Sequence, residues 1–157
     1  METTEQRWLE LPSAPAIPGL RFRYYQGEDD VPDLVAVANR FNAAVGENER
    51  WSVEMMASLL RNRSHVPAEE GTLLAYVGER LVASSTIEYA DTTDGERHYR
   101  SLGSVDPDWF RRGLGTAMMA FNEVLLRELA AREAYAGPTK LITWLDDGDP
   151  GLSLIHI

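Results

Sequence analysis

Val105-Asp106-Pro107-Asp108-Trp109-Phe110-Arg111-Arg112-Gly113-Leu114-Gly115-Thr116 decides how this chain is read. A strand-like run precedes it, and the most regular apolar helix pattern of the sequence follows. Glycines at such a junction let the backbone approach a ligand with no Cβ in the way. The first turn of a helix leaves amide donors without an internal partner, and the helix dipole adds positive potential there. Together with two arginines, this predicts an anion site whose natural occupant is a phosphate or diphosphate. The spacing sets aside two common phosphate loops. Met118 stands where a dinucleotide fingerprint needs its third glycine, and no Gly-Lys-Ser/Thr follows to make a Walker A loop.

Working outward from this loop, Leu114, Met118, Phe121, Leu125 and Leu129 form an apolar stripe that predicts a long helix, stopped by Gly137-Pro138. Arg97 to Val105 reads as the strand before the loop, and Lys140 to Leu145 as a strand after the helix. Upstream, Thr72 to Val77 and the alternation Leu81, Ala83, Ser85, Ile87, Tyr89 make a hairpin about a Gly78-Glu79 turn. Further upstream, Leu20 to Tyr25 alternates as a first strand, followed by two helices. Leu34, Val37, Ala38, Phe41 and Val45 mark the buried face of one, with Asp29 or Asp30 as cap. Val53, Met56, Leu59 and Leu60 mark the other, with Ser52 as cap. Residues 1–19 carry Pro12, Pro15 and Pro18 without any period and read as a flexible, proline-rich leader. The order is strand, two helices, three strands, helix, strand, which is an α/β class. A long helix joining neighbouring strands predicts a parallel crossover, with ligands at the carboxyl ends of strands.

Composition narrows the function classes. The chain has 157 residues, enough for one domain with a sizeable core, and 44% hydrophobic residues. Without cysteine there is no disulfide, no thiolate nucleophile and no zinc–thiolate site. His65, His98 and His156 are too scattered to suggest a metal centre. No run approaches membrane-spanning length, and no secretory signal is evident, so a cytoplasmic location is expected. The Asn62-Arg63-Ser64 sequon carries no meaning without secretion. A net charge of −10 disfavours nucleic acid and anionic membranes as partners. It suits a cationic substrate such as an amine, or serves solubility alone.

The glycine loop resembles motif A of the GNAT family of acyl-CoA-dependent N-acetyltransferases. That motif runs from a strand through Val-x-Pro, then Gln/Arg-x-x-Gly-x-Gly/Ala, into a long helix. Val105-x-Pro107 and Gly113-x-Gly115 fit it, while Phe110 stands where the family usually has Gln or Arg. The element order also matches the first two-thirds of the family's fold, a mixed central sheet flanked by helices. The resemblance therefore implies a GNAT domain over residues 20–150 that lacks its last helix and strands. It implies that residues 151–157, Gly-Leu-Ser-Leu-Ile-His-Ile, are a non-native tail. The family often places a tyrosine general acid in that last helix, so no residue here takes that role.

The implied activity is transfer of an acetyl group from acetyl-CoA to a primary amine of a small molecule, peptide or protein by direct attack. The resemblance assigns the diphosphate to the amides of Arg111, Arg112, Gly113, Leu114, Gly115 and Thr116, with charge added by Arg111 and Arg112. It assigns the cofactor's amide-bearing arm and acyl carbonyl to the main chain of Gly103, Ser104 and Val105, where Gly103 fits a bulge. Glu88 is the first choice as proton acceptor. His98 is a neutral-pH alternative beside Tyr99, and Asp146 and Asp147 could attract an amine. Two other functions stay open. One is an inactive acyl-CoA-binding or regulatory domain, half of a tandem protein; the other is a different phosphate-binding α/β protein such as a nucleotide binder. The acceptor and the oligomeric state are not legible.

Overall fold

The structure, a computed structural model, describes residues 7–63, 65–143 and the backbone of 155–156. One sheet organises it, with strands β1 (Leu20–Tyr24), β2 (Thr72–Val77), β3 (Arg80–Asp91), β4 (Arg97–Val105), β5 (Thr139–Thr143) and the two-residue β6 (Ile155–His156) side by side in chain order. β1 to β4 pair antiparallel, β4 and β5 pair parallel, and β5 and β6 pair antiparallel. Helices α1 (Val31–Ala44), α2 (Val53–Arg61), α3 (Ala68–Gly71) and α4 (Leu114–Glu133) complete the described residues, and α4 is the crossover between β4 and β5. This is the expected mixed α/β sheet flanked by helices.

The two sheet faces bury different helices. Successive strand residues point to opposite faces. On β3, Ser85 bonds Asn122 of α4, while its neighbours Ser84 and Thr86 line a cavity with residues of α1 and α2. Leu34, Val35 and Val37 of α1 pack with Leu74, Tyr76 and Leu81 on the second face. Leu114 and Met118 of α4 pack with Leu73, Ala75, Ala83 and Val105 on the first.

Several local rules hold as read. β4 spans Arg97–Val105, the hairpin turns between Val77 and Arg80, and the Ser52 hydroxyl accepts the Met55 N–H at 3.1 Å as a helix cap. The strand expected over Lys140–Leu145 is β5, Thr139–Thr143, with its later residues outside the described ones. The tail expected to be non-native includes Ile155 and His156, whose backbone pairs with Thr143 and Ile142.

Other expectations change. The described part of the leader is packed: the Leu9 N–H donates to Phe22 O at 2.7 Å, Leu11 is buried in the core, and the Arg21 guanidinium sits 4.0 Å from the Trp8 ring centre. Apolar residues between the prolines give this stretch a surface to bury although it has no period. Asp30 does not cap α1 with its side chain, because a bidentate pair with Arg23 occupies both its oxygens. The buried face of α4 is rotated from the expected stripe. Leu114, Met118 and Leu129 are buried, but Asn122 and Leu126 go inward while Phe121 and Leu125 are only half-buried. The reason is polar: Asn122 Nδ2 donates to Ser85 Oγ at 2.9 Å and Ser101 Oγ at 3.0 Å, tying α4 to both central strands.

Candidate active site

The loop that ends β4 is fixed at its start by a buried carboxylate. Asp106 is 2% exposed and accepts from Arg40 Nε at 2.9 Å, Arg80 Nη2 at 3.0 Å and the Asp108 N–H at 3.0 Å. Burial alone would raise its pKa. The bonds from Arg40, the Asp108 amide and Arg80 outweigh that and hold it below the ordinary carboxylate range. Asp106 thereby caps the 3-10 turn Pro107–Trp109 and clamps the loop to α1 and to the β2–β3 hairpin.

Beyond this anchor the backbone turns sharply. Arg111 has φ 59° and Gly113 φ 88°, both in the left-handed region, and α4 begins at Leu114. The amides of Arg111 to Thr116 have no protein acceptor among the described residues; the first amide of the run that bonds is Ala117, to Gly113 O at 3.1 Å. No side chain caps this helix, and its first turn holds no acidic residue to offset the dipole. Arg111 and Arg112 are exposed and make no ion pair among the described residues; Arg112 lies 4.7 Å from the Trp109 ring centre. All the residues predicted to form an anion cradle are thus brought together, with their donors free. Pro15 of the packed leader runs beside it, its Cβ 3.5 Å from where a side chain on Gly113 would begin.

A narrow cleft of about 30 Å³ leads from Gly115 and Met118 of α4 to Gly103, Ser104 and Val105 of β4. Among the described residues, the strand there has backbone groups without a strand partner. Asp106 N–H donates to Val82 O on the β3 side, and strand groups alternate between edges, so Gly103 and Val105 present theirs to the β5 side. The β4–β5 register runs from Arg97↔Thr139 to Ser101↔Thr143, which leaves Gly103 and Val105 beyond the paired stretch among the described residues. Gly103 forms no bulge: the β3–β4 register is continuous through Ser85↔Gly103, and the irregularity lies instead at Ala75/Tyr76 of β2. Its glycine is needed for closeness, since a Cβ there would sit 2.9 Å from Ser84 O.

On the opposite face a cavity of about 180 Å³, mostly apolar, lies between the sheet and α1 and α2, with Trp51, Leu60 and Arg63 among its walls. It shares Ser84, Ser85, Leu102, Gly103 and Ser104 with the narrow cleft, so the two spaces meet at Gly103. Glu88 lies on this second face. Its oxygens lie 3.0 Å from Arg100 Nη2 and 3.7 Å from Arg63 Nη1. His98 sits toward the far end of β4, with its Nε2 3.0 Å from Glu96 Oε2. Asp146 and Asp147 lie outside the described residues. Asn122, Arg63 and Arg100 were missed in the sequence. A lone asparagine on a helix and two scattered arginines carry no spacing signal, and tertiary contact alone gives them meaning.

No protein-family model matches the sequence. The chain is 31% identical over 140 residues to proteins named mycothiol acetyltransferase from Mycolicibacterium paratuberculosis and from Mycobacterium avium. The match takes in 85% of this chain and 44% of each relative, so the chain spans less than half the length of the curated relatives it matches. Among solved structures, a GCN5-related N-acetyltransferase from Sphaerobacter thermophilus superposes with a TM-score of 0.59 at 16% identity, over 83% of this chain and 39% of that one. Ard1 from Thermoplasma volcanium superposes with a TM-score of 0.52 at 18% identity, over 85% of this chain and 76% of that one. With the mixed sheet and the crossover helix α4 in the expected places, the chain shares the fold of these N-acetyltransferases.

Proposed function

We propose that this chain transfers an acetyl group from acetyl-CoA to a primary amine. The observation that carries the reading is the run of free amides from Arg111 to Thr116 at the start of α4, opening into a cleft that ends at Gly103. Acetyl-CoA would supply an activated acyl thioester. The chain's own residues divide the remaining work. The loop amides, with Arg111 and Arg112, hold a diphosphate. The edge at Gly103 and Val105, which has no strand partner among the described residues, pairs with an amide-bearing arm and aims a donor at an acyl oxygen. Asn122 keeps α4 at a fixed distance from β3 and β4, so the loop and the edge stay in register. The cavity against α1 and α2 receives the amine, which meets the cofactor cleft at Gly103. Glu88 is the proton acceptor in this reading, through water. The excess acid over base across the chain, net −10, attracts a cationic acceptor. The expected setting is the cytoplasm; no helix among the described residues is long and apolar enough to cross a membrane.

One observation favours a second reading, an acyl-CoA-binding domain without turnover. Both Glu88 oxygens face arginines, so the carboxylate is engaged in ion pairs rather than turned to an open substrate position. A thiol-release assay with acetyl-CoA and a panel of amines separates the two, and a chain without cysteine gives no background. Transfer predicts amine-dependent thiol release that falls by about 10²-fold or more in Glu88→Gln. Acetyl-CoA binding with no release for any amine would favour the binding domain.

A further inference from the structure

Glu88 is outnumbered. It stands directly across from Arg100 in the β3–β4 register, and Arg63 reaches it from just beyond α2. Arg63 is held firmly: its side chain is 8% exposed, and Nη2 donates to Ile87 O at 2.8 Å and Thr86 Oγ1 at 3.1 Å. Burial, together with the like charge of Arg100, pushes the Arg63 pKa down despite Glu88. Arg100 is the less satisfied partner, since its buried Nε has no hydrogen-bond acceptor among the described residues. These three charged groups line a cavity of about 210 Å³ together with Leu59, His65 and Tyr89. Among the described residues, two guanidiniums against one carboxylate leave one net positive charge, and a half-buried cation with an orphaned donor is costly unless an anion joins it.

The position of this cavity gives it a role. It shares Leu59 and Arg63 with the apolar cavity that reaches Gly103. An acceptor lying across both would place an anionic group on the arginines, an apolar group against α1 and α2, and its amine toward Gly103. We propose that the amine acceptor carries a carboxylate, seated on Arg63 and Arg100, beside an apolar side group in the adjoining cavity. The substrate class is therefore a free amino acid or a short peptide-like acid, and this rests on the acetyl-transfer reading. A carboxylate fits better than a phosphate for two reasons. A planar monoanion matches a guanidinium fork, and a single negative charge balances the single excess positive one. A dianion would leave the pocket with uncompensated negative charge beside Glu88.

The test compares two product-like probes that differ at one group, N-acetyl-L-leucine and N-acetyl-L-leucinamide, by calorimetric titration of the intact chain. The acid is expected to bind at least about tenfold more tightly than the amide, and Arg100→Met to reduce that ratio below about threefold. Equal affinities, no measurable binding of the acid, or an undiminished ratio in Arg100→Met would overturn the proposal. Should that variant misfold, the comparison on the unaltered chain still decides. A separate titration with acetyl-CoA keeps the two readings apart. Acid-selective binding without acetyl-CoA binding sinks the transfer reading and leaves the anion seat standing. Acetyl-CoA binding with no preference for the acid does the reverse.

Discussion

Gly113→Glu is expected to weaken acetyl-CoA binding by at least about 100-fold, which corresponds to about 2.7 kcal/mol. Two effects act at this position. Gly113 sits at φ 88°, where any L residue is strained by about 1–2 kcal/mol. The added carboxylate would also stand beside the free amides that the diphosphate needs, and would take their bonds or repel the ligand. Gly113→Ala separates the two. An alanine Cβ meets Pro15 at an ordinary 3.5 Å, so that variant carries the strain without the charge. It should lose stability by about 1 kcal/mol yet bind acetyl-CoA within about tenfold of the parent. Circular dichroism should show both variants folded. Undiminished affinity in Gly113→Glu would remove the loop from the cofactor site.

Arg23→Met is expected to cost about 3–5 kcal/mol of folding stability in denaturant titration. Arg23 and Asp30 form a bidentate pair at 2.7 and 2.9 Å, with side chains 6% and 11% exposed. Arg23 also donates to Tyr76 Oη at 2.9 Å, and Asp30 accepts the Gln26 N–H at 2.9 Å, so the pair fastens β1 to β2 and to the start of α1. Removing the arginine strands a buried carboxylate, which is why the loss exceeds that of a surface pair. The pH dependence follows from the same carboxylate. Burial would raise the Asp30 pKa, but the bonds from Arg23 and the Gln26 amide bring it below its ordinary value. A lowered folded pKa gives stability that is complete above the unfolded carboxylate value, about pH 4, and lost as pH falls through the folded value. Asp106 adds to this acid loss in the same direction. The Arg23→Met chain should therefore lose less stability than the parent on acidification. A cost under about 1 kcal/mol, or an unchanged acid profile, would show that the pair does not hold this corner.

Much of the glycine-loop region was legible because it is written locally. Glycines at fixed spacing, an apolar stripe and a strand-like run identify β4, the turn and the start of α4 without reference to any distant residue. The charged cluster on the other sheet face was not legible for the opposite reason. Arg63, Glu88 and Arg100 lie far apart in the chain and become a cluster only when β3 pairs with β4 and α2 folds over them. Asn122 shows why the helix face was misjudged. Period arguments count apolar residues inward, and a buried amide answered by two serine hydroxyls breaks that count. Gly103 shows the limit of reasoning by residue type. A glycine in a strand fits a bulge or a close approach equally well, and the register decides for the second. The leader shows that proline content without period does not by itself mean an unpacked chain, since Leu9 and Leu11 still find β1 and the core.

The central claim is that the free amides before α4 receive the cofactor's diphosphate, and amide chemical shifts of the ¹⁵N-labelled chain during titration with acetyl-CoA address it most directly. Saturable movement of the Arg111 to Thr116 amides, accompanied by Gly103 and Val105, is the predicted result. Stationary signals for these residues in a folded chain, or movement confined to another surface, would contradict the account.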